Sequence, residues 1–251
     1  MIDLRGRHVL VTGGSRGIGA AAAILFARAG ADVAIGYRSR KAEAESVALE
    51  CVSHGVRATA IAADLSQRGG ADALCIATTA AFGAIDIMVC NAGFWPTAPE
   101  PIATMSDARW HDTAAQNYEA MFQCARAAAR SVTDGGRIIF VSSTAGQRGE
   151  AFHSDYAAAK GAMISLTKSI AIELAPRQVT VNAVAPGWVD TDAISDVVFG
   201  DEKLRVSANI PLGRIATPAD IGGPIVFLAS PLARHITGEI LNINGGSVLC
   251  G

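Results

Sequence analysis

The 251-residue sequence has few charged residues, few aromatic residues and no long hydrophobic run, and each shortage excludes a class of protein. Charged residues make up 18% of the chain and sum to a formal net charge of -2, which predicts no basic surface for a nucleic acid. The most apolar stretch, residues 19–36, is interrupted by Arg28 and Asp32, whereas a membrane span needs roughly 18 uninterrupted apolar residues. We therefore expect neither a nucleic-acid partner nor a membrane protein.

Cysteine is also scarce, and its spacing argues against structural roles. The cysteines are Cys51, Cys75, Cys90, Cys124 and Cys250. They are odd in number and form no Cys-x-x-Cys pair, so we expect reduced thiols and no metal site. The first five residues lack a basic segment followed by an apolar one, so we expect a cytoplasmic protein.

What is abundant is apolar: half of the residues are hydrophobic, and short β-branched runs alternate with longer helical patterns. Strands are predicted at 8–12, 32–37, 57–62, 85–90, 137–142, 180–185 and 240–243. Helices are predicted at 17–29, 40–54, 66–83, 107–131, 155–175 and 218–229. The alternation predicts an α/β fold, a doubly wound Rossmann-type parallel sheet of about seven strands with helices on both faces. It continues without a linker, so we expect a single domain over residues 1–251.

A glycine-rich segment, residues 12–19, follows the first predicted strand and runs into a helix. Glycines allow the backbone to approach a pyrophosphate, and the positive end of the helix dipole favours its charge. The spacing from Gly13 to Gly17 differs from the common Gly-x-Gly-x-x-Gly fingerprint. A purely structural turn is the alternative.

A second motif places Tyr156 four residues before Lys160, so that both side chains project from one helix face. An adjacent ammonium favours the phenolate and would bring the pKa of the tyrosine towards a useful range. On its own, however, Tyr-x-x-x-Lys is common on solvated helices.

Together the two motifs resemble the short-chain dehydrogenase/reductase family in its compact single-domain branch, over essentially the whole chain. The other matching segments are Asp64, Asn91-Ala92-Gly93, Asn117, Ser143, Pro186-Gly187 with Thr191, and residues 242–246. Ser143 lies thirteen residues before Tyr156, as the family's catalytic serine does. Ser142, its neighbour, is the alternative in the same pair.

The resemblance implies a role for each of four catalytic residues. Tyr156 would exchange a proton with the substrate oxygen while hydride passes between the substrate and a nicotinamide. Ser143 would hold that oxygen. Lys160 would lower the pKa of the tyrosine and bind the nicotinamide ribose, and Asn117 would connect Lys160 to solvent through its main chain and a water.

The resemblance also implies the cofactor contacts, which are predicted to be Gly13, Ser15, Arg16, Gly17, Ile18, Gly19, Tyr37, Arg38, Asp64, Leu65, Asn91, Ala92, Gly93, Tyr156, Lys160, Pro186, Gly187, Val189 and Thr191. NAD-preferring members of the fold place an acid where Tyr37 stands. Arg38 and Arg16 instead mark NADP use in this family. The alternative is that both arginines are solvated loop charges.

Four further residues are candidate substrate contacts because they follow or precede the motifs. Trp95 and Trp188 lie on loops that border the substrate crevice in this family, and surface packing is the alternative for both. Phe152 and His153 precede Tyr156, where a solvated loop histidine is the simpler interpretation. The substrate contacts are therefore predicted less sharply than the cofactor contacts.

These observations predict an NADP(H)-dependent oxidoreductase that acts on a carbonyl or a secondary alcohol, most similar to the 3-oxoacyl-carrier-protein reductases. Those reductases dock an acidic acyl carrier protein through basic residues at two helix ends; Arg177 matches one, but Asp134 lies at the other. A small ketone, a sugar, a steroid-like alcohol or a coenzyme A thioester is the alternative substrate. A nonenzymatic NADP sensor and a sugar-nucleotide epimerase or dehydratase are the other classes of function. A homotetramer is expected from the resemblance and from Ala-rich stretches at 114–129 and 157–175.

Overall fold

The sheet is parallel throughout and is built from seven strands in the order β3-β2-β1-β4-β5-β6-β7. The computed structural model describes residues 2–195 and 197–249. The strands are β1 (His8–Thr12), β2 (Asp32–Tyr37), β3 (Ala58–Ala62), β4 (Ile85–Cys90), β5 (Val132–Val141), β6 (Thr180–Pro186) and β7 (Ile240–Ile243). The predicted doubly wound sheet is confirmed.

Helices cover both faces of the sheet. They are α1 (Gly17–Arg28), α2 (Lys41–Ser53), α3 (Gly70–Phe82), α4 (Asp107–Ala114), α5 (Ala120–Ser131), α6 (Ala145–Arg148), α7 (Ser154–Leu174), α8 (Gly200–Ala208) and α9 (Pro218–Ala229). Helices α1, α2 and α9 bury residues such as Phe26 and Ile221 against one face. Helices α3, α5 and α7 bury residues such as Leu74 and Met163 against the other. Because both faces are covered, the strands are nearly continuous apolar runs.

The order of the strands reverses between β1 and β4, which are neighbours in the sheet. From β1 the chain proceeds outward through β2 to β3, and it then returns to β4 on the other side. Loops that follow β1 and β4 therefore diverge at their carboxyl ends and leave a crevice there. This crevice is the mouth of the site described below.

The predicted helix over 107–131 is wrong in one respect, because it is divided. A π-helical turn, Ala115–Glu119, separates α4 from α5. The structure also contains α6 and α8, which the sequence patterns do not indicate, and β5 begins at Val132 rather than at Arg137. A register shift between Ile85 and Ile87 accommodates the longer strand.

Four cysteines, Cys51, Cys75, Cys90 and Cys124, are free and buried, and Cys250 lies outside the described residues. Within 2–195 and 197–249, no cluster of three or more His, Cys, Asp or Glu side chains is arranged to hold a metal ion. In the same ranges no helix has the length and hydropathy needed to cross a membrane.

Candidate active site

The glycine loop between β1 and α1 is tied to the end of β4 by two side chains. The Thr12 hydroxyl accepts hydrogen bonds from the backbone N–H groups of Asn91 and Ala92 at 2.9 and 3.0 Å. The Asn91 amide donates to the carbonyls of Thr12 and Gly13 at 3.0 and 3.1 Å. Asn91, at the end of β4, therefore fixes the conformation of the glycine loop that follows the neighbouring strand β1.

The geometry of this loop fits a dinucleotide. Gly13 and Gly17 have φ values of +63° and +56°, in the left-handed region that favours glycine. Among the residues that the structure describes, no side chain caps the first turn of α1, so its N–H groups remain available to an anion. The loop lines a cleft of about 410 Å³, which is within the usual range for a ligand pocket.

The Tyr156 and Lys160 side chains face this cleft from α7, and Ser143 faces it from the loop after β5. The Lys160 ammonium lies 5.6 Å from the centre of the Tyr156 ring and donates a hydrogen bond to the Val141 carbonyl at 2.8 Å. Ser142 differs from its neighbour, because its hydroxyl is buried and donates to the Lys160 carbonyl at 2.9 Å. A hydroxyl, a phenol and an ammonium thus meet at one edge of the cleft.

Burial dominates the electrostatics of this group. It raises the pKa of Tyr156 above its ordinary value, hydrogen bonding to Ser143 lowers it in part, and the Glu150 charge raises it further. Burial also lowers the pKa of Lys160 to about 8. The expected lowering of the tyrosine pKa by Lys160 is not present in this structure, where burial is the largest cause of the shift and Lys160 is not one of its causes. Tyr156 is consequently a protonated phenol at neutral pH, which suits a proton donor.

Asn117 lies behind Lys160 in the π-helical turn and is fully buried. Its amide oxygen accepts a hydrogen bond from the Phe94 N–H at 3.1 Å, and its amide nitrogen donates to the carbonyls of Phe94 and Thr113 at 2.8 and 3.1 Å. A Cβ at Gly93 would lie 3.0 Å from the Asn117 amide oxygen and 3.4 Å from the Lys160 nitrogen. Because Gly93 has no side chain, the Asn117 amide oxygen and the Lys160 nitrogen can both lie close to its backbone.

Helix α4 is anchored to the foot of α7 on the other side of this turn. The Arg109 side chain donates to the Asp155 carboxylate at 3.0 Å, and the Thr113 hydroxyl donates to the same oxygen at 2.8 Å. Asp155 is itself buried and directly precedes Tyr156. The contact fixes the start of the helix that carries the tyrosine.

Two tryptophans and a carboxylate form the far end of the cleft. Trp95 and Trp188 meet edge to face, with ring centres 5.8 Å apart, and His153 stacks on Trp95 at 5.0 Å. The Trp95 indole N–H donates to a Glu150 carboxylate oxygen at 3.3 Å. The interpretation of His153 as a solvated loop residue is wrong, because this residue is only 7% exposed.

The opposite end of the cleft is basic. Tyr37 and Arg38 line it where β2 ends, and Arg38 donates to the Gln116 side chain at 3.3 Å. Arg16, in the glycine loop, lies 3.7 Å from the Asp192 carboxylate. In the described ranges, Arg38 makes no salt bridge, so its charge is not neutralised by a carboxylate contact.

Known proteins resemble the chain along nearly its full length. A family model described as enoyl-(acyl carrier protein) reductase matches residues 13–247. The 3-oxoacyl-[acyl-carrier-protein] reductase FabG of Vibrio cholerae is 39% identical over 98% of this chain and 98% of that protein. The L-rhamnose 1-dehydrogenase (NAD(P)(+)) of Azotobacter vinelandii is 39% identical over 96% of each chain. A short-chain dehydrogenase/reductase structure from Serratia marcescens, 35% identical, has a TM-score of 0.91 over 97% of this chain and 98% of that one.

This chain belongs to the short-chain dehydrogenase/reductase family. The resemblance indicated by the sequence motifs is thereby confirmed. As a member of the family the chain is an oxidoreductase, and the family uses a nicotinamide cofactor.

Most of the residues predicted from the family resemblance line the one cleft. Three predicted catalytic residues, Ser143, Tyr156 and Lys160, do so, as do the two tryptophans. The predicted cofactor residues that line it are Gly13, Ser15, Arg16, Gly17, Ile18, Tyr37, Arg38, Asp64, Leu65, Asn91, Ala92, Gly93, Tyr156, Lys160, Pro186, Gly187, Val189 and Thr191. The cleft therefore gathers residues from segments that are far apart in the sequence.

The remaining predicted residues lie outside the lining. Gly19 packs against the Gly13 carbonyl, where a Cβ would collide. Asn117 lies behind Lys160, and His153 lies behind Trp95. Phe152 is 55% exposed and has a φ of +66°, so it serves as a turn residue rather than as part of the cleft wall.

Several polar residues of the cleft lining are not indicated by the sequence, among them Gln116, Arg148 and Glu150. Gln116 and Glu150 have distant partners, since Arg38 and Trp95 are 78 and 55 residues away in the chain. The only local indication of a role for these residues is that they lie in the sequence just before Asn117 or shortly after Ser143. That position does not distinguish them from ordinary loop residues.

Proposed function

We propose that the protein is an NADP(H)-dependent oxidoreductase of a single domain that interconverts a carbonyl group and a secondary alcohol. The observation that carries this proposal is the meeting of Ser143, Tyr156 and Lys160 at one edge of a cleft that the glycine loop also lines. Intact acid and base groups in that position argue against a nonenzymatic sensor.

The glycine loop, Tyr37 and Arg38 would hold a nicotinamide nucleotide, which would supply hydride to the substrate carbon or accept it from there. In the reductive direction Tyr156 donates its phenolic proton to the carbonyl oxygen as negative charge develops there. Ser143 donates a hydrogen bond to the same oxygen and orients it. Lys160 stabilises the phenolate that remains, since its ammonium already lies beside the ring.

Proton supply to Tyr156 is assigned to Lys160 and Asn117. The Lys160 ammonium has a pKa of about 8, so it can release and recover a proton near neutral pH. A π-helical turn holds Asn117 beside it, and such turns are frequent at functional sites. Main-chain groups of this turn and a water would complete the path to solvent.

The basic end of the cleft supports NADP(H) over NAD(H). Of its three arginines, Arg40 is paired with Glu43 at 3.1 Å, and Arg16 is close to a carboxylate. Among the described residues Arg38 forms no salt bridge: its hydrogen bond goes to the neutral Gln116 amide, although its charge also lowers the pKa of Asp64. Arg38 can therefore meet a 2'-phosphate with charge-assisted hydrogen bonds, each worth roughly 1.5 to 3 kcal/mol. Tyr37 offers no carboxylate that would repel the phosphate.

We expect kcat/KM for NADPH to exceed that for NADH by about tenfold to a hundredfold for each arginine that engages the phosphate. Combining Tyr37→Asp with Arg38→Ala should reverse the preference, because a carboxylate then faces the ribose hydroxyls. Initial rates with both nucleotides measure this, and Arg234→Ala, which lies outside the cleft lining, serves as the charge-loss control. Equal values in the native enzyme, or a preference for NADH, would refute the assignment.

Two substrate classes are candidates. The first is a 3-oxoacyl thioester, as in the fatty acid biosynthesis of the carrier-protein reductases, and it is favoured by the name of the Vibrio cholerae relative. The second is a small hydroxylated carbonyl compound or sugar, favoured by the name of the Azotobacter vinelandii relative. The Arg177 guanidinium binds Asp134 at 2.7 Å and the carbonyls of Ala129 and Val132. It is thus engaged within the chain, which disfavours docking of an acidic acyl carrier protein.

We propose that the protein forms a homotetramer. The Ala-rich stretches do not support this assembly, because most alanines of α5 pack on the sheet of their own chain. The support comes from exposed Trp110, Tyr118 and Phe122, which lie on α4, the π-helical turn and α5. Light scattering should give about four times the chain mass, and Phe122→Glu should lower it. A monomer at micromolar concentration would contradict the proposal.

We also propose a cytoplasmic location, because the four described cysteines are free thiols.

A further inference from the structure

The far end of the cleft contains a carboxylate that the proton relay does not use. Glu150 lines the cleft in the loop between Ser143 and Tyr156, and its side chain is 21% exposed. One of its oxygens, Oε1, accepts the Trp95 indole N–H at 3.3 Å and lies 3.7 Å from the His153 ring nitrogen. The carboxylate is therefore held in one orientation by neighbours behind the cleft wall.

The other oxygen, Oε2, makes no hydrogen bond to any residue in the described ranges, and it is not sealed from solvent. Burial raises the pKa of Glu150, which is the sign of a carboxylate with less hydration than it would have on the surface. A few placed polar groups in an otherwise apolar pocket usually fix the orientation of a ligand. Oε2 is such a group, and it is an acceptor.

Aromatic side chains lie beside this acceptor. Trp95 and Trp188 pack against a separate hydrophobic cluster formed by Ile194, Val198, Ile210 and Ile215. A ligand at this end thus meets aromatic surface together with one hydrogen-bond acceptor. That combination suits a molecule with an apolar face and a hydroxyl group at its edge.

We propose that Glu150 is a specificity-determining residue that accepts a hydrogen bond from a substrate hydroxyl remote from the carbon that exchanges hydride. The substrate is accordingly a hydroxylated carbonyl compound rather than a simple acyl chain. An ammonium group would fit the carboxylate less well, because the Arg148 guanidinium lines the same cleft. This assignment rests on the proposed carbonyl reductase activity.

The test compares matched substrates by NADPH oxidation. Hydroxyacetone is paired with butanone, and longer hydroxyketones are each paired with the ketone in which a methyl group replaces the hydroxyl. Acetoacetyl-CoA represents the thioester class. We expect the best hydroxyketone to have a kcat/KM about tenfold to a hundredfold higher than its methyl partner.

The decisive variant is Glu150→Gln, which is isosteric. The Trp95 N–H requires an acceptor, so the amide oxygen will turn towards it and the NH2 group will face the cleft. We expect kcat/KM for the hydroxyketone to fall about tenfold relative to that for its methyl partner, mainly through KM. Loss of the Glu150 charge near Tyr156 acts on both ketones alike, so it cancels in this ratio. Glu202→Gln, on α8 and outside the cleft lining, is the matched control, since that carboxylate pairs with Arg205 at 2.8 Å.

Three results would overturn the assignment. The first is native enzyme that shows no preference within the pairs. The second is a preference that is undiminished in Glu150→Gln. The third is reduction of acetoacetyl-CoA faster than that of every hydroxyketone. All three leave the proposed reductase activity standing. Absence of NADPH oxidation with every substrate would instead refute the reductase activity and this assignment with it. Should Glu150→Gln lose its fold, Trp95→Phe removes the donor that orients Glu150 and is expected to lower the ratio of kcat/KM for the hydroxyketone to that for its methyl partner.

Discussion

Tyr156→Phe is expected to lower kcat for carbonyl reduction about 100-fold to 10,000-fold, because the variant has no proton to donate to the substrate oxygen. The ring that packs beside Lys160 remains, so folding and nucleotide binding should be retained. The measurement is kcat under saturating NADPH, together with the Kd for NADPH from fluorescence titration. We expect that Kd to change by less than about twofold.

Tyr118→Phe is the matched control, because it removes the same atom from a half-exposed tyrosine outside the cleft. Its kcat should equal that of the native enzyme. Near-native turnover in Tyr156→Phe would show that another group protonates the substrate. A large loss of NADPH affinity would show instead that Tyr156 mainly binds the nucleotide.

Lys160→Met is expected to inactivate the enzyme and at the same time to stabilise the fold. Inactivation of about 100-fold or more follows from loss of the ammonium beside the phenol. Stabilisation follows from burial: a pKa of about 8 in place of the ordinary 10.5 corresponds to about 3 kcal/mol of native-state destabilisation at neutral pH. Loss of the hydrogen bond to Val141 offsets part of this, which leaves a net gain of about 1 to 2 kcal/mol.

The pH dependence of this gain has a definite sign. Below pH 8 the lysine is charged in both the native and unfolded states, so the destabilisation is constant. Between about pH 8 and 10.5 the unfolded chain binds a proton that the native protein does not, so native stability rises with pH. Urea unfolding across this range should show the advantage of Lys160→Met shrinking, whereas Lys168→Met, an exposed position on the same helix, should show none of it. A variant less stable than the native protein at pH 7 would contradict the argument.

Those parts of the fold that depend on local signals are predictable from the sequence. Helix α9 begins and ends where the pattern places it, and a capping box between Thr217 and Asp220 explains the sharp start. Strands β1, β2, β4 and β7 likewise match the predicted bounds, because their runs are apolar and β-branched. Helix α8 has no buried residue and hence no apolar stripe by which it could be recognised.

The candidate site likewise contains some residues that the sequence predicts and others that it does not. The glycine loop and the Tyr156–Lys160 pair have fixed local spacing, so the sequence alone predicts them. Glu150 is defined by a partner 55 residues away, which no local pattern contains. The burial of His153 is equally hidden from local patterns, because Phe152, with φ of +66°, turns the chain so that the imidazole lies against Trp95. The roles of these residues stay predictions until the variants are measured.

The wide turn at Ala115–Glu119 also sets a constraint on chain length. On its upstream side Arg109 and Thr113 hold the foot of α7, and on its downstream side α5 is packed into the sheet. Each residue of an α-helix advances the chain by about 100° around the axis, so losing one residue here would close the turn and rotate one half against the other. Either the anchor on Asp155 or the burial of Asn117 would then be lost. Surface loops can absorb insertions and deletions. In this helix, by contrast, the active site depends on the number of residues as much as on their chemistry.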